Sequence, residues 1–372
     1  SGVYLGPLRL LALEVFDKLN QDAACCNLLT GEERIDVPGA TLTASTIELC
    51  DFHKEYDVAV IDEAQMMADS SRGSHWTDAI CRVRAKEVRI CAAPTAEDII
   101  LSILDRFGAD VEVRHHDRLV PLVFKGFCNG LPAVKPGDAL IAFSRKKVLS
   151  IAAQVEQYGM KASVIYGALP PASRREEVRR FVNGDTQIVV ATDAIGMGIS
   201  IPIKRVVFTE VSKFDGVEMR PLNREEIKQI AGRAGRFGLY DEGEVVSMTK
   251  EARIEQGLKK ESLPIRKLRL PFPREALDSD YAMEELLREW QRLDDDALIQ
   301  REDLSEALQL YRALKPDLHD EPKVVVYELI TTPVDAKNPV LVQYWCACCR
   351  RILQGLNPRK PSMSADALEE CE

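Results

Sequence analysis

The sequence predicts an α/β fold in which two parallel-sheet domains lie in tandem and a mostly helical domain follows them. Short apolar runs alternate with amphipathic stretches, the alternation breaks at a proline-containing segment and restarts, and strand-like runs mostly end near residue 251. Strands that alternate with helices favour parallel sheets. The predicted domains are residues 1–113 for the first sheet, 114–137 for a linker, 138–250 for the second sheet and 251–372 for the helical part.

The first predicted domain contains three strand-like runs: GVYLGP, YDVAVID and EVRICAAP. Longer amphipathic stretches separate them, as expected for helices that connect parallel strands. The pattern loosens at RHHDRLVPLVF and LPAVKPGD, where prolines disfavour regular elements, and this loosening predicts the linker.

The second predicted domain contains five strand-like runs: ALIAFS, ASVIYG, QIVVATD, RVVFTEV and GEVVSM. Apolar residues then appear at helical spacing in AMEELLREWQRL and LSEALQLYRAL, which predicts a helical C-terminal part. The last residues, NPRKPSMSADALEECE, are polar and are predicted to be frayed.

Composition restricts the class of protein. With 46% hydrophobic and 29% charged residues the chain is ordinary for a globular protein, and no apolar run reaches the length of a membrane span. The ten cysteines are scattered, which favours a reducing compartment over a disulfide framework. The cluster Cys346, Cys348 and Cys349 lacks a second matched pair or a nearby histidine, so packed thiols are favoured over zinc. A net charge of −10 limits nucleic-acid contacts to a local groove of amides, hydroxyls and a few arginines.

Two adjacent carboxylates end the apolar run VAVI. Asp62 and Glu63 repel each other, so they need a cation or a polar opening nearby. Ligands of parallel sheets bind beyond the carboxyl ends of the strands. We therefore expect Asp62 to hold the Mg²⁺ of a magnesium–nucleotide complex through water, and Glu63 to orient and deprotonate the attacking water. A pair of surface charges at a strand end is the alternative interpretation.

A second candidate segment is QIAGRAGR, which begins at Gln229. On a helix, Gln229, Arg233 and Arg236 at i, i+4 and i+7 would share one face. Gly232 and Gly235 cost about 1 kcal/mol each in helix propensity, which indicates that something approaches the backbone closely. Arginines that neutralise transition-state charge and a glutamine that holds water suit a triphosphate. A solvated basic helix face is the alternative.

The third candidate segment, ATDAIGMG, follows the strand-like run QIVV. Gly196 and Gly198 allow tight turns, and Thr192 and Asp193 offer a hydroxyl and a carboxylate at the strand end. Such a loop can contact a phosphate on one side and a nucleotide on the other. Three polar loops in this order on two α/β domains favour one shared nucleotide site.

These segments resemble the motifs of a superfamily-two helicase of the DExH branch, and most of all the Suv-type RNA helicases of the mitochondrial degradosome and their bacterial relatives. DEAQ resembles motif II, with Gln65 where many relatives have His or Asp, while ATDAIGMG resembles motif V and QIAGRAGR motif VI. ICAAPTA lies at motif III and departs from the commoner Ser-Ala-Thr. Further resemblances are GPLRLLA to motif Ia, AFSRKK to motif IV, YGALPP to its companion, and TGEER and STIEL to two strand-contacting loops.

The resemblance implies two RecA-like domains with Mg²⁺–ATP between them and RNA across both. Nucleotide contacts would come from Asp62, Glu63, Gly196, Gln229, Arg233 and Arg236. The RNA groove would be lined by Pro7, Arg9, Thr30, Thr46, Ser144 and Thr192. The implied activity is 3′-to-5′ unwinding of RNA with a 3′ single-stranded tail. The run KFDGVEMRPL is predicted to be a hairpin near that groove, with an ordinary surface loop as an equal alternative.

The phosphate-binding loop GxxxxGK[ST] does not occur in residues 1–372. The family carries it just before the strand that GVYLGP resembles, so we expect the chain to be a fragment of an ATP-dependent RNA helicase. A motor-less RNA-binding or interaction scaffold and a DNA-acting helicase remain alternatives. An exoribonuclease is a candidate partner, and no membrane association is expected. A cytoplasmic location, as in the bacterial relatives, is favoured over the mitochondrial matrix.

Overall fold

The computed structural model describes residues 1–69, 72–167, 169–196, 201–215, 218–236, 238–249, 252–332 and 334–358, without the side chain of Pro171. The chain divides into two compact units. The first unit comprises Ser1–Gln65 and Arg82–Ile265, and the second comprises Met66–Cys81 and Arg266–Glu372.

A six-stranded sheet is formed by the first part of the chain. Its strands are β1 (Gly2–Gly6), β2 (Cys26–Leu29), β3 (Arg34–Ile35), β4 (Leu42–Thr46), β5 (Glu55–Ile61) and β6 (Arg84–Ile90). Their order is β3-β2-β4-β1-β5-β6, and all neighbours are parallel except β2 and β3. The helices of this part are α1 (Arg9–Gln21), α2 (Gly73–Arg82) and α3 (Glu97–Arg106).

A second six-stranded sheet follows in the first unit. The next strands along the chain are β7 (Leu122–Phe127), β8 (Asp138–Ile141), β9 (Ala162–Ile165), β10 (Ile188–Ala191), β11 (Arg205–Phe208), β12 (Ser212–Phe214), β13 (Met219–Pro221) and β14 (Gly243–Ser247). The sheet order is β7-β14-β11-β8-β10-β9, with all neighbours parallel, while β12 and β13 form an antiparallel hairpin. The helices are α4 (Arg145–Gln157), α5 (Pro171–Val182), α6 (Arg224–Ala231) and α7 (Arg253–Lys259).

Burial explains why the apolar runs were recognisable as strands. Every residue of β8, β10 and β11 is buried, because parallel strands at the centre of a sheet are covered on both faces. Strand β6 is different: most of its residues are exposed, and it lies at an edge of the first sheet. All eight predicted strand-like runs contain strands, which confirms the predicted fold class.

The second unit contains α2 together with the C-terminal elements. These are β15 (Leu268–Leu270), α8 (Met283–Arg292), β16 (Ile299–Arg301), α9 (Ser305–Leu314), α10 (Lys323–Ile330) and α11 (Pro339–Leu353). Cys346 and Cys349 pack on α11 into the apolar core of this unit, which confirms the expectation of thiols packed in a helix. Burial raises the pKa of Cys349 to about 12, so this thiol stays neutral at pH 7. No helix in the described ranges is long and apolar enough to cross a membrane.

The second sheet begins earlier than predicted. Strand β7 lies inside residues 114–137, which the sequence analysis assigned to a linker, and it pairs with β14. Leu122 and Phe124 pack against the core of the second sheet, so this segment is held by apolar contacts despite its prolines. Helix α7, in the predicted helical part, contacts α6 of the first unit. The other domain boundaries stay predictions, and the final residues from 359 onward lie outside the described ranges.

Candidate active site

The two predicted carboxylates lie in a turn directly after β5, which we call the carboxylate turn (residues 62–65). Its backbone is hydrogen-bonded to both neighbouring strand ends. The N–H of Asp62 donates to the Leu5 carbonyl at 2.9 Å, and the N–H of Ala64 donates to the Cys91 carbonyl at 2.9 Å. The end of β5 is therefore fixed between the ends of β1 and β6.

Side chains fix the Asp62 carboxylate as well. The Tyr4 hydroxyl donates to Oδ2 of Asp62 at 2.7 Å, and the backbone N–H of Glu63 donates to Oδ1 at 2.9 Å. Burial raises the pKa of Tyr4, and its hydrogen bond to Asp62 raises it further, so Tyr4 remains a proton donor. Glu63 has φ of 50°, a left-handed conformation that is costly for a residue with a Cβ. Sequence reasoning missed Tyr4. It lies two residues before the end of β1, on the strand that pairs with β5.

Gln65 connects the carboxylate turn to the segment that resembles motif III. Its side-chain amide donates to Oε2 of Glu63, and its Oε1 accepts a hydrogen bond from the Ala93 N–H at 2.9 Å. The glutamine thus orients the Glu63 carboxylate and connects it by a hydrogen bond to the segment that follows β6. Ala93 makes this contact through its backbone, so the missing serine hydroxyl at that position is not needed for it.

The second candidate segment is not a continuous helix, and the prediction that Gln229, Arg233 and Arg236 share a helical face is wrong. Helix α6 ends at Ala231, and we call residues 232–236 the arginine turn. Gly235 has φ of 74°, and a Cβ there would lie 2.6 Å from the Gly243 backbone. The chain needs glycine at this point because the backbone reverses against β14.

Arg233 is held at the loop that follows β10. Its guanidinium donates to the Gly196 carbonyl at 3.1 and 2.5 Å. Burial lowers the pKa of Arg233, while the negative charges of Glu63 and Glu14 act in the opposite direction. The Arg233 guanidinium, bound to the Gly196 carbonyl of the second sheet, thus lies within electrostatic range of Glu63 on the first.

Two of the other predicted nucleotide contacts are more exposed to solvent than Arg233. Gly196 packs next to Gln229, since a Cβ added to Gly196 would lie 3.6 Å from the Gln229 side chain. The Gln229 and Arg236 side chains are exposed. Met197 and Gly198 of the segment ATDAIGMG lie outside the described residues.

Sequence reasoning also missed Arg118, which lies in the segment predicted to be a linker. Its guanidinium donates to the carbonyls of Val120 at 2.6 Å, Gly232 at 2.8 Å and Ala234. Burial lowers the pKa of Arg118, and the positive charge of Arg233 lowers it further. Nothing in the local sequence signals this role, because the partners are backbone carbonyls far along the chain.

The predicted RNA-contacting residues of the first sheet follow the carboxyl ends of β1, β2 and β4. Pro7, Thr30 and Thr46 are buried, with Thr30 5% and Thr46 8% exposed. The Thr30 hydroxyl donates to the Glu33 carbonyl at 3.1 Å, which closes a local turn. Arg9 forms an ion pair with Glu32. The structure brings these residues to one edge of the sheet, at the same end as Asp62.

Ser144 and Thr192 follow β8 and β10 at the corresponding edge of the second sheet. The exposed Ser144 accepts a hydrogen bond from the Lys147 N–H at 3.3 Å and caps α4. Thr192 is buried, and its hydroxyl accepts a hydrogen bond from the Ala194 N–H at 3.3 Å. Both hydroxyls therefore also stabilise their own loops. Ala168 in YGALPP lies outside the described residues.

The predicted hairpin is confirmed: β12 and β13 pair antiparallel, with Phe214 opposite Met219. Gly216 and Val217, between these strands, lie outside the described residues. Lys213 on β12 binds Asp193 at 3.0 Å and Glu226 at 2.7 Å. Ion pairs of Lys213 thus connect the hairpin to the loop after β10 and to the start of α6.

Glu226 is the centre of this charged cluster. Arg220 on β13 donates to both of its carboxylate oxygens, at 2.9 and 3.0 Å, and Glu226 with Asn223 forms a capping box at the start of α6. Burial acts to raise the pKa of Glu226, but the hydrogen bonds from Arg220 and Lys213 outweigh it and lower the pKa to about 2. Glu226 is therefore ionised at neutral pH.

Comparison with known proteins identifies the family of both sheets. Residues 1–116 match the DEXQ-box helicase domain of Suv3, and residues 124–238 match the helicase conserved C-terminal domain. The chain is 43% identical over 249 residues to the ATP-dependent RNA helicase SUV3L, mitochondrial, of rice, covering 65% of this chain and 34% of the relative. It is 40% identical over 281 residues to the human ATP-dependent RNA helicase SUPV3L1, mitochondrial, covering 72% of this chain and 36% of the relative.

Among solved structures, yeast Dbp5 bound to RNA and ADP BeF3 has a TM-score of 0.51 at 15% identity, covering 71% of this chain and 76% of that one. Two tandem RecA-like sheets, with a carboxylate turn on the first and an arginine turn on the second, define a superfamily-two helicase core. The chain belongs to the Suv3-type DEXQ-box helicases. It spans about a third of the length of the rice and human relatives.

The expected cytoplasmic location is wrong. The relatives from rice, Candida albicans, human and baker's yeast are all named as mitochondrial. The scattered cysteines and the pI of about 5.3 fit both compartments, so composition had no power to separate them.

Proposed function

We propose that this chain forms the core of an ATP-dependent RNA helicase that hydrolyses Mg²⁺–ATP between its two RecA-like domains. The observation that supports this most is that Arg233, fixed at the Gly196 carbonyl of the second sheet, lies within electrostatic range of Glu63 on the first. Phosphoryl transfer needs carboxylates that hold a metal and activate water, opposite an arginine that neutralises the transferring group.

The contacts of each residue support a particular role. Asp62 would hold Mg²⁺ through water, because carboxylate oxygens are preferred ligands of this ion, and Tyr4 orients the carboxylate. Glu63 would take the proton from the attacking water, with Gln65 holding its carboxylate in place. Arg233 would neutralise charge on the transferring phosphoryl group, with Gln229 and Arg236 acting beside it. The metal supplies positive charge to the phosphate oxygens.

A segment outside residues 1–372 would supply the phosphate-binding loop. The outer edge of β6 supports this, because no strand in the described part of the chain pairs with it. Val88 on that strand is 40% exposed, unlike the apolar residues of the central strands. A further parallel strand on this edge would end next to the carboxyl end of β6, two strands from Asp62 and on the same side of the sheet.

RNA would bind along the carboxyl edges of both sheets. Its contacts would be Pro7, Arg9, Thr30, Thr46, Ser144 and Thr192. Because these groups suit sugar and phosphate, binding would be nearly independent of base sequence. We infer 3′-to-5′ movement and a 3′-tailed substrate from the resemblance to Suv-type helicases. The names of the relatives support RNA as the substrate and the mitochondrial matrix as the location, and an exoribonuclease is proposed as a partner.

The test compares RNA-stimulated phosphate release by residues 1–372 with release by a longer protein that carries the preceding segment. We expect negligible hydrolysis by the short chain and turnover by the long one. Turnover by residues 1–372 at an ordinary helicase rate would refute the missing-loop proposal. RNA binding without hydrolysis by either protein would favour the scaffold, and preferred unwinding of DNA or of 5′-tailed duplexes would refute the RNA and polarity assignments.

A further inference from the structure

We propose that Arg118 is a positioning residue that sets the conformation of the arginine turn and thereby the place of Arg233. This inference rests on the proposed ATP hydrolysis for its functional consequence. Arg118 lies between α3 and β7, outside all the segments that resemble helicase motifs. Its partners lie 114 and 116 residues later in the chain.

The geometry of the contact is a fork. Nε of Arg118 donates to the Val120 carbonyl at 2.6 Å, while its two terminal nitrogens donate to the carbonyls of Gly232 and Ala234. Those two carbonyls belong to the residues on either side of Arg233. A guanidinium presents its donors in one rigid plane, so it can fix two carbonyls relative to each other. Lysine has a single ammonium group and cannot reproduce this fork.

The N–H groups of the arginine turn are bound by backbone carbonyls: those of Arg233 and Ala234 donate to Ile230 and Ala231 at 3.1 and 2.9 Å. Helix α6 ends at Ala231, and the last carbonyls of a helix have no partner within the helix. Two glycines, Gly232 and Gly235, add conformational freedom in the next four residues. The Gly235 N–H in turn donates to the Ile203 carbonyl at 2.9 Å. Arg118 adds hydrogen bonds to the carbonyls of Gly232 and Ala234, so it restrains the peptide groups that flank Arg233.

Electrostatics alone does not explain the place of Arg118. Its charge and that of Arg233 repel each other, which opposes their approach. The carbonyl contacts hold Arg118 there despite this repulsion, and they leave the Arg233 side chain directed at the Gly196 carbonyl. Arg118 therefore binds the backbone of the turn, while the Arg233 side chain binds the loop after β10 within electrostatic range of Glu63.

The structural half of the proposal is tested by amide hydrogen exchange on residues 1–372. In Arg118→Lys, the amides of Arg233, Ala234 and Gly235 should exchange on the order of tenfold faster, since hydrogen bonds to a charged group are lost. The control is Arg114→Lys, an exposed arginine in the same segment whose partner is Glu112 at 2.8 Å. The control should leave these amides unchanged, and unchanged exchange in Arg118→Lys would overturn the proposal.

The functional half is tested by ATP hydrolysis in the longer protein. Arg118→Lys should lower kcat on the order of 10²-fold with little change in KM, because displacement of a catalytic group by about 1 Å has effects of that size. Millimolar guanidinium should partly restore kcat to Arg118→Ala and leave Arg114→Ala unchanged. Normal kcat in Arg118→Lys would refute the inference and leave the proposed function intact. A wild-type protein without hydrolysis would refute the proposed function, and hydrogen exchange would still decide whether Arg118 holds the turn.

Discussion

The carboxylate turn is held by its own residues and by neighbouring strands of its sheet, whereas the arginine turn is also held by a residue 114 positions earlier in the chain. In the carboxylate turn, Glu63 donates its N–H to Asp62 and Gln65 binds Glu63, so three of four residues restrain one another. In the arginine turn, two of five residues are glycines, and the carbonyls on both sides of Arg233 are bound by Arg118. The outside contacts of the carboxylate turn thus come from strands of its own sheet, while that of the arginine turn comes from the segment between α3 and β7.

This difference predicts which substitutions should disturb each turn. Substitutions inside the carboxylate turn should change chemistry with little effect on folding, because its backbone is also fixed by β1 and β6. The arginine turn should be sensitive to residues outside it. The following variants test this comparison in the longer, ATP-hydrolysing protein, except for the last, which needs only residues 1–372.

The largest effect is expected for Arg233→Ala. Arginines that neutralise the transferring phosphoryl group are worth on the order of 10³–10⁵ in rate, so phosphate release should fall by at least about 10³-fold. RNA affinity measured without nucleotide should hardly change. Arg236→Ala, at the exposed end of the turn, should have the smaller effect. Loss of RNA binding with normal hydrolysis in Arg233→Ala would place this side chain in the RNA groove instead.

Glu63→Gln should come next, with turnover reduced on the order of 10²–10⁴-fold and ATP binding retained, because the amide fits but cannot accept a proton. Asp62→Asn should instead weaken Mg²⁺-dependent nucleotide binding. Gln65→Ala removes the hydrogen bonds to Glu63 and Ala93 and should lower turnover less than Glu63→Gln. Fluorescent nucleotide binding and single-turnover hydrolysis separate these cases. Equal losses of nucleotide affinity in Glu63→Gln and Asp62→Asn would show that the assigned roles are wrong.

The smallest effect is a pH-dependent loss of stability at the start of α6. The folded-state pKa of Glu226 is about 2, below the ordinary value of 4.5, so its stabilisation is complete above about pH 4.5 and is lost as the pH falls toward 2. Glu226→Gln should be less stable than the wild type at pH 7, by roughly 3 kcal/mol at most. Urea unfolding should show this difference shrinking between pH 4.5 and 2.

The control for this measurement is Glu225→Gln, an exposed neighbour whose ion pair with Arg224 is 3.7 Å long. It should show no comparable pH dependence. A stability difference for Glu226→Gln that persists unchanged at pH 2.5 would mean that the loss is one of packing rather than of charge.

The parts of the fold that were predictable are those whose residues carry their own signal. Strands β8, β10 and β11 are buried on both faces, so they are continuous apolar runs. Strands β2 and β4 were missed because short runs such as CNLL and LTAST mix polar and apolar residues. Strand β7 was missed because flanking prolines dominated the local pattern.

The same distinction applies to the candidate site. Asp62 and Glu63 were placed correctly at a strand end because adjacent carboxylates after an apolar run form a local pattern. The helical face of Gln229, Arg233 and Arg236 was wrong because glycine propensity and the approach of β14 end the helix at Ala231. Arg118 could not be predicted, because its partners are distant backbone carbonyls. Every residue has such a carbonyl, so the contact produces no recognisable residue pattern.

The open edge of β6 has a further consequence for the handling of this chain. Unpaired strand edges can pair with the same edge of another molecule and start aggregation. Along β6, Arg84, Lys86, Glu87 and Arg89 are exposed, and charged side chains of this kind keep two edges apart. Salt shortens the reach of such charges to about 3 Å at 1 M. Residues 1–372 should therefore remain dispersed in dilute buffer and associate through this edge at high ionic strength, without unfolding.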